Sequence, residues 1–94
     1  MSKIDEYLDS NAKRFEEELF ELLRMPSVSA DPERVKDIRR TADWLADHLT
    51  RIGLSVELIE TPGYPLVLAQ TPPVDGLPTV LVYGHYDVQP PEPL

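Results

Sequence analysis

The chain has 94 residues, enough for one small domain, with 17 acidic and 9 basic side chains and a net charge of −8. That acidity argues against nucleic acid or an anionic membrane surface as a partner, because neither attracts a negative chain. There is no cysteine, which rules out disulfide staples and thiolate zinc sites and leaves any metal to His, Asp or Glu. The first residues, Met1-Ser2-Lys3-Ile4-Asp5-Glu6, carry no apolar leader core, and no apolar run approaches the roughly eighteen residues of a membrane span. A soluble, cytoplasmic protein is the expectation.

Residues 4–24 are predicted to form an amphipathic helix. Ile4, Leu8, Phe15, Leu19 and Leu22 recur at helical spacing, with Tyr7 and Ala12 beside them. Glu16, Glu17, Glu18 and Glu21 lie largely off that stripe and read as a solvated face. Pro26 stops the helix, since proline disfavours helical geometry in the residue before it. After the loop Met25–Ala30, Asp31 is placed to cap a second helix, with Pro32 at its first position and Glu33 near the positive end of its dipole. Val35, Ile38, Ala42, Leu45, Leu49 and Ile52 then alternate spacings of three and four, and Gly53 is the expected stop.

Beyond Gly53 the period changes to two. Leu54–Glu60 reads as a strand with one face covered, Thr61–Pro65 as a turn and Leu66–Gln70 as a second strand, short enough in connection to form a hairpin. Thr71–Gly76 is a loop. Thr79–Tyr83 is continuously apolar, which predicts a third strand buried on both faces. Gln89–Leu94 holds three prolines in six residues and cannot continue a sheet. The fold class is therefore α/β: two N-terminal helices packed on part of a mixed sheet. Such a sheet is incomplete, leaving an edge that a finished domain rarely exposes.

The chemistry concentrates in Gly84-His85-Tyr86-Asp87-Val88-Gln89-Pro90, directly after the predicted third strand. Ligands gather outside the C-terminal ends of strands in α/β sheets. Two residues apart on an extended chain, Asp87 lies on the same side as His85. There it can accept the imidazole's second N–H and leave the other nitrogen as a metal donor. Gly84 is read as letting the backbone pass close to its neighbours, and Pro90 as stiffening the exit. Tyr86 points to the opposite side and packs. One histidine cannot hold zinc alone, which needs three or four protein ligands. His48 lies off the apolar stripe, nearer Trp44 than any metal partner, and is not read as a ligand. Ser27 and Ser29 lack a nucleophile-elbow setting and read as loop or capping residues.

The string from Gly84 to Pro90, after an apolar strand, resembles the first metal-binding motif of the M20 metallopeptidases, most closely the dipeptidase branch related to carnosine dipeptidases. Leu23–Pro32 is similar to that family's loop between its first two helices. Ala42-Asp43-Trp44-Leu45 and Ile52-Gly53-Leu54 are similar to its second helix and the exit into its first strand. The resemblance implies that His85 ligates one of two zinc ions and that Asp87 is the catalytic-site carboxylate orienting it. It further implies metal-assisted hydrolysis of dipeptides, acyl-amino acids or related amides. The family's bridging aspartate, general-base glutamate and remaining metal ligands fall later in its chains. None of Asp75, Glu92 or the helical acids matches them, and the family's lid and dimerisation domain is likewise expected to lie outside these residues. Residues 1–94 are thus expected to be the N-terminal portion of a catalytic domain, inactive alone and at most a weak zinc binder. The competing expectation is a non-catalytic module whose open sheet edge is covered by self-association into a homo-oligomer.

Overall fold

The computed structural model describes Ser2–Pro91. Met1, and Glu92–Leu94 of the proline-rich end, lie outside the described residues.

The first helix, α1, spans Lys3–Leu23. Ser2 caps it reciprocally: its hydroxyl accepts from the Asp5 N–H at 3.1 Å, and its own N–H donates to the Asp5 carboxylate at 3.3 Å. The helix closes with the Arg24 N–H donating to the Phe20 carbonyl at 3.0 Å, two residues before Pro26. No α1 residue is buried. Its half-buried positions are Asn11, Phe15, Glu18 and Leu22, whereas Ile4, Leu8 and Leu19 of the apolar stripe are exposed. The expectation of a purely solvated acidic face is corrected at two positions. Glu21 accepts from the Trp44 indole N–H at 3.0 Å, and Glu18 lies 3.9 Å from the His48 ring. Polar residues of α1 thus reach α2, while Ile4, Leu8 and Leu19 of the apolar stripe look outward.

The second helix, α2, covers Val35–Arg51 and is entered through a 3₁₀ turn at Pro32–Arg34. Asp31 caps that turn, its carboxylate accepting from the Glu33 N–H at 2.9 Å. Ile38, Thr41 and Ala42 are fully buried, and the Thr41 hydroxyl is satisfied by donating to the Asp37 carbonyl at 2.7 Å. Gly53 ends the helix with φ of +102°, a left-handed conformation that L side chains resist. Around it the Gly53 N–H reaches the Thr50 carbonyl at 3.0 Å and the Leu54 N–H reaches the Leu49 carbonyl at 3.1 Å. This paired bonding satisfies the last helical carbonyls and turns the chain into the sheet.

Strands β1 (Ser55–Ile59) and β2 (Leu66–Gln70) form an antiparallel hairpin in which Val56 pairs with Ala69 and Leu58 with Val67. Those four residues are half-buried, and α2 packs on the hairpin; Leu66 and Leu68 on the other face are exposed. Thr61 holds the turn from within, accepting from the Gly63 N–H at 3.0 Å and donating to the Tyr64 carbonyl at 2.7 Å. The hairpin, the single covered face and the two helices agree with the α/β expectation.

The third strand does not. Thr79–Tyr83 is in no strand, and Val80, Leu81 and Val82 are each more than 80% exposed. A strand needs a neighbour to take its N–H and C=O groups. Among the described residues the sheet has only the two hairpin strands, so this apolar run has local propensity but no partner.

Candidate metal centre

The centre is assembled by two short segments that meet across the chain: the loop Met25–Ser29 after α1, and Tyr86–Val88. Met25, Ser27 and Val28 are buried, so this loop is a fixed surface rather than a free connection. Val28 and Val88 form an isolated parallel bridge, with the Val88 N–H donating to the Ser27 carbonyl at 2.9 Å. The Ser27 hydroxyl donates to the Tyr86 carbonyl at 2.8 Å. The backbone on both sides of Asp87 is thereby tied to one residue, itself only 2% exposed.

From the hairpin side, the Tyr86 hydroxyl donates to the Pro65 carbonyl at 2.6 Å, and the Tyr64 hydroxyl donates to the Ser29 carbonyl at 2.9 Å. Tyr86 is half-buried, as its assignment to packing requires. Burial, followed by the nearby Asp87 charge, pushes its phenol above the ordinary range. These bonds leave a shallow cleft lined by Ile38, Tyr64, Pro65 and the stretch from Tyr83 to Asp87.

His85 stands at the rim of that cleft with its side chain 70% exposed. Its Nδ1 lies 3.0 Å from Asp87 Oδ1. An ionised carboxylate only accepts, so Nδ1 carries the proton and Nε2 presents the lone pair. The nearest partner of Nε2 is the exposed Tyr83 hydroxyl at 3.4 Å, with the two rings edge to face, a long contact that a stronger ligand displaces. The other Asp87 oxygen, Oδ2, accepts from the Ser29 hydroxyl at 2.7 Å. The Ser29 bond, and next the bond from His85, hold the Asp87 carboxyl below the usual carboxylate range.

His85 and Asp87 are thus brought together without the strand that was expected to deliver them. Ser27 and Ser29 are more than loop or capping residues, because both bond directly to the motif. The signal that could have found them is weak: two hydroxyls flanking a valine in a loop that otherwise lacks polar side chains. Gly84 departs from its expected role, since a Cβ there would meet nothing within 4 Å and no close approach requires glycine. His48 is stacked on Trp44, ring centroids 5.2 Å apart and 8° from parallel.

The donor chemistry fits one corner of a metal site. A neutral imidazole with its second nitrogen held by a carboxylate is a common metal-ligand arrangement. Among the described residues no cluster of three or more His, Asp or Glu could enclose an ion. His85 is a candidate first donor, and further donors are needed.

Comparison with known proteins gives the same direction. The chain is 31% identical over 101 aligned residues to the Cys-Gly metallodipeptidase of Schizosaccharomyces pombe, with 96% of this chain and 21% of that protein covered. It is 33% identical over 84 residues to the cysteinylglycine-S-conjugate dipeptidase of Corynebacterium striatum, covering 88% of this chain and 18% of the relative. It is 34% identical over 90 residues to the Cys-Gly metallodipeptidase of Candida albicans, covering 82% and 19%. The chain therefore spans about a fifth of the length of the curated relatives it matches. No family profile matches the chain, and no solved structure matches it significantly. The similarity runs through nearly the whole chain, so its homologues are dipeptidases of the M20 family, matched here over about a fifth of their length.

Proposed function

We propose that this chain contributes the first metal ligand to a cytoplasmic, zinc-dependent dipeptidase that cleaves Cys-Gly-like dipeptides or related amides. The observation that carries the reading is the 3.0 Å bond from His85 Nδ1 to Asp87, which leaves Nε2 free to bind metal. The relatives' names, which specify dipeptidases acting on Cys-Gly or on cysteinylglycine conjugates, support the substrate class. His85 Nε2 would be one holder of a divalent ion, whose chemistry, when bound, would be to acidify a water for attack on the scissile carbonyl. This chain's own contribution is positional. Asp87 keeps the proton on Nδ1 and fixes the ring plane. The cleft from Tyr64 to Asp87 offers apolar walls beside that nitrogen.

The 94 residues alone are proposed to be inactive. One imidazole does not enclose an ion that needs three or four protein ligands, and no described cluster completes the set. In the protein purified from its own source, His85→Ala should remove bound zinc and lower Cys-Gly hydrolysis by about a thousandfold or more, the scale expected when a metal that activates water is lost. Zinc content by elemental analysis and hydrolysis rates check this together. Undiminished zinc and activity in that variant would overturn the reading, as would EDTA-sensitive dipeptide hydrolysis by the 94-residue chain.

A further inference from the structure

We infer that Ser29 is a positioning residue for the metal centre, fixing the Asp87 carboxylate so that its Oδ1 faces His85. This rests on the reading of His85 as a metal ligand and adds the element that orients the orienting group. A carboxylate joined by one hydrogen bond swivels about its last torsion, whose energy profile is broad. Occupying the second oxygen removes that freedom. The Ser29 hydroxyl does so at 2.7 Å on Oδ2 while His85 Nδ1 takes Oδ1 at 3.0 Å. A hydroxyl-to-carboxylate bond of that length belongs to the strong, charge-assisted class.

Ser29 can act as a fixed point because it is itself held. Its carbonyl accepts from the Tyr64 hydroxyl at 2.9 Å. Two residues earlier, Ser27 bonds to the backbone of Tyr86 and of Val88, and Val28 between them is buried. The carboxylate is clamped from a loop 58 residues away in sequence, whereas the histidine ring remains largely exposed. Geometry is therefore imposed on the ring through Asp87, beside an edge-to-face contact with the exposed Tyr83. Residues that orient metal ligands through such a relay change metal affinity by about ten- to a hundredfold when removed.

The test uses the protein purified from its own source as wild type, S29A, S29T, D87A, S29A/D87A and H85A, each stripped of metal and titrated with Zn²⁺ against a chromophoric chelator. Thermal melting of each metal-free protein is followed alongside. S29A should weaken Zn²⁺ binding by about tenfold or more, beyond what any lowered melting midpoint accounts for, and S29T, which keeps the hydroxyl, should restore it. On the D87A background, S29A should add nothing, since the two act in one relay. Wild-type Zn²⁺ affinity in S29A, or a further loss in S29A/D87A relative to D87A, overturns the role of Ser29. If S29T recovers melting but not affinity, Ser29 is a folding residue and the inference fails. H85A separates the two readings. An ion lost in H85A with S29A unaffected sinks only the positioning role, whereas full Zn²⁺ retention in H85A sinks the ligand assignment itself.

Discussion

Two neighbouring stretches of the same segment meet opposite fates. Val80–Tyr83 is a continuous apolar run, yet it lies open to solvent. Tyr86–Val88, a few residues on and more polar, is bonded to the loop after α1 and to the hairpin turn. The difference is one of partners, not of composition. Apolar side chains need another surface to cover them and strand backbones need another strand. Neither is present among the described residues for Val80–Tyr83. Tyr86–Val88 is held by directed bonds: the Ser27 and Ser29 hydroxyls and the Ser27 carbonyl on the loop after α1, and the Pro65 carbonyl at the hairpin turn.

The comparison can be broken at its polar end. Ser27→Ala removes the hydroxyl that satisfies the Tyr86 carbonyl at a position only 2% exposed. Leaving that acceptor without its partner should cost about 1–3 kcal/mol, read as a lowered midpoint in urea unfolding. An unchanged midpoint would mean the loop does not hold the motif. Tyr86→Phe, which leaves the carbonyl of the buried Pro65 without its donor, should cost about 1 kcal/mol or more. Smallest of all is Val82→Asp in the 94-residue chain. Its side chain touches no core, so unfolding free energy should move by no more than about 0.5 kcal/mol. A large loss there would show that Val80–Tyr83 is covered in solution, as self-association through the sheet edge would produce.

The helices give a parallel case. The stripe on α2 was legible because its covering surface, the hairpin, follows immediately in the chain, and Gly53 marks the turn between them. The stripe on α1 was equally legible as a pattern but says nothing about which face is covered. Here Glu18 and Glu21 meet α2 while Ile4, Leu8 and Leu19 remain exposed. The candidate site divides in the same way. His85 and Asp87 could be paired from their spacing of two, since an extended backbone puts alternate side chains on one side. Ser27 and Ser29 could not, because a serine in a loop carries no mark of what it will bond to 58 or 59 residues later.

The amino-acid sequence by itself determined the local elements: both helices and their ends, the hairpin and its turn, and the histidine–carboxylate pair. Each follows from interactions within a few residues, where side-chain periodicity, capping and left-handed glycine leave little choice. Only the tertiary structure decided which apolar faces are covered, that Thr79–Tyr83 forms no strand, and that the loop after α1 clamps Asp87. Those outcomes depend on which surfaces meet through space, and closing a long loop is driven by the contacts made at its end, not by the residues within it.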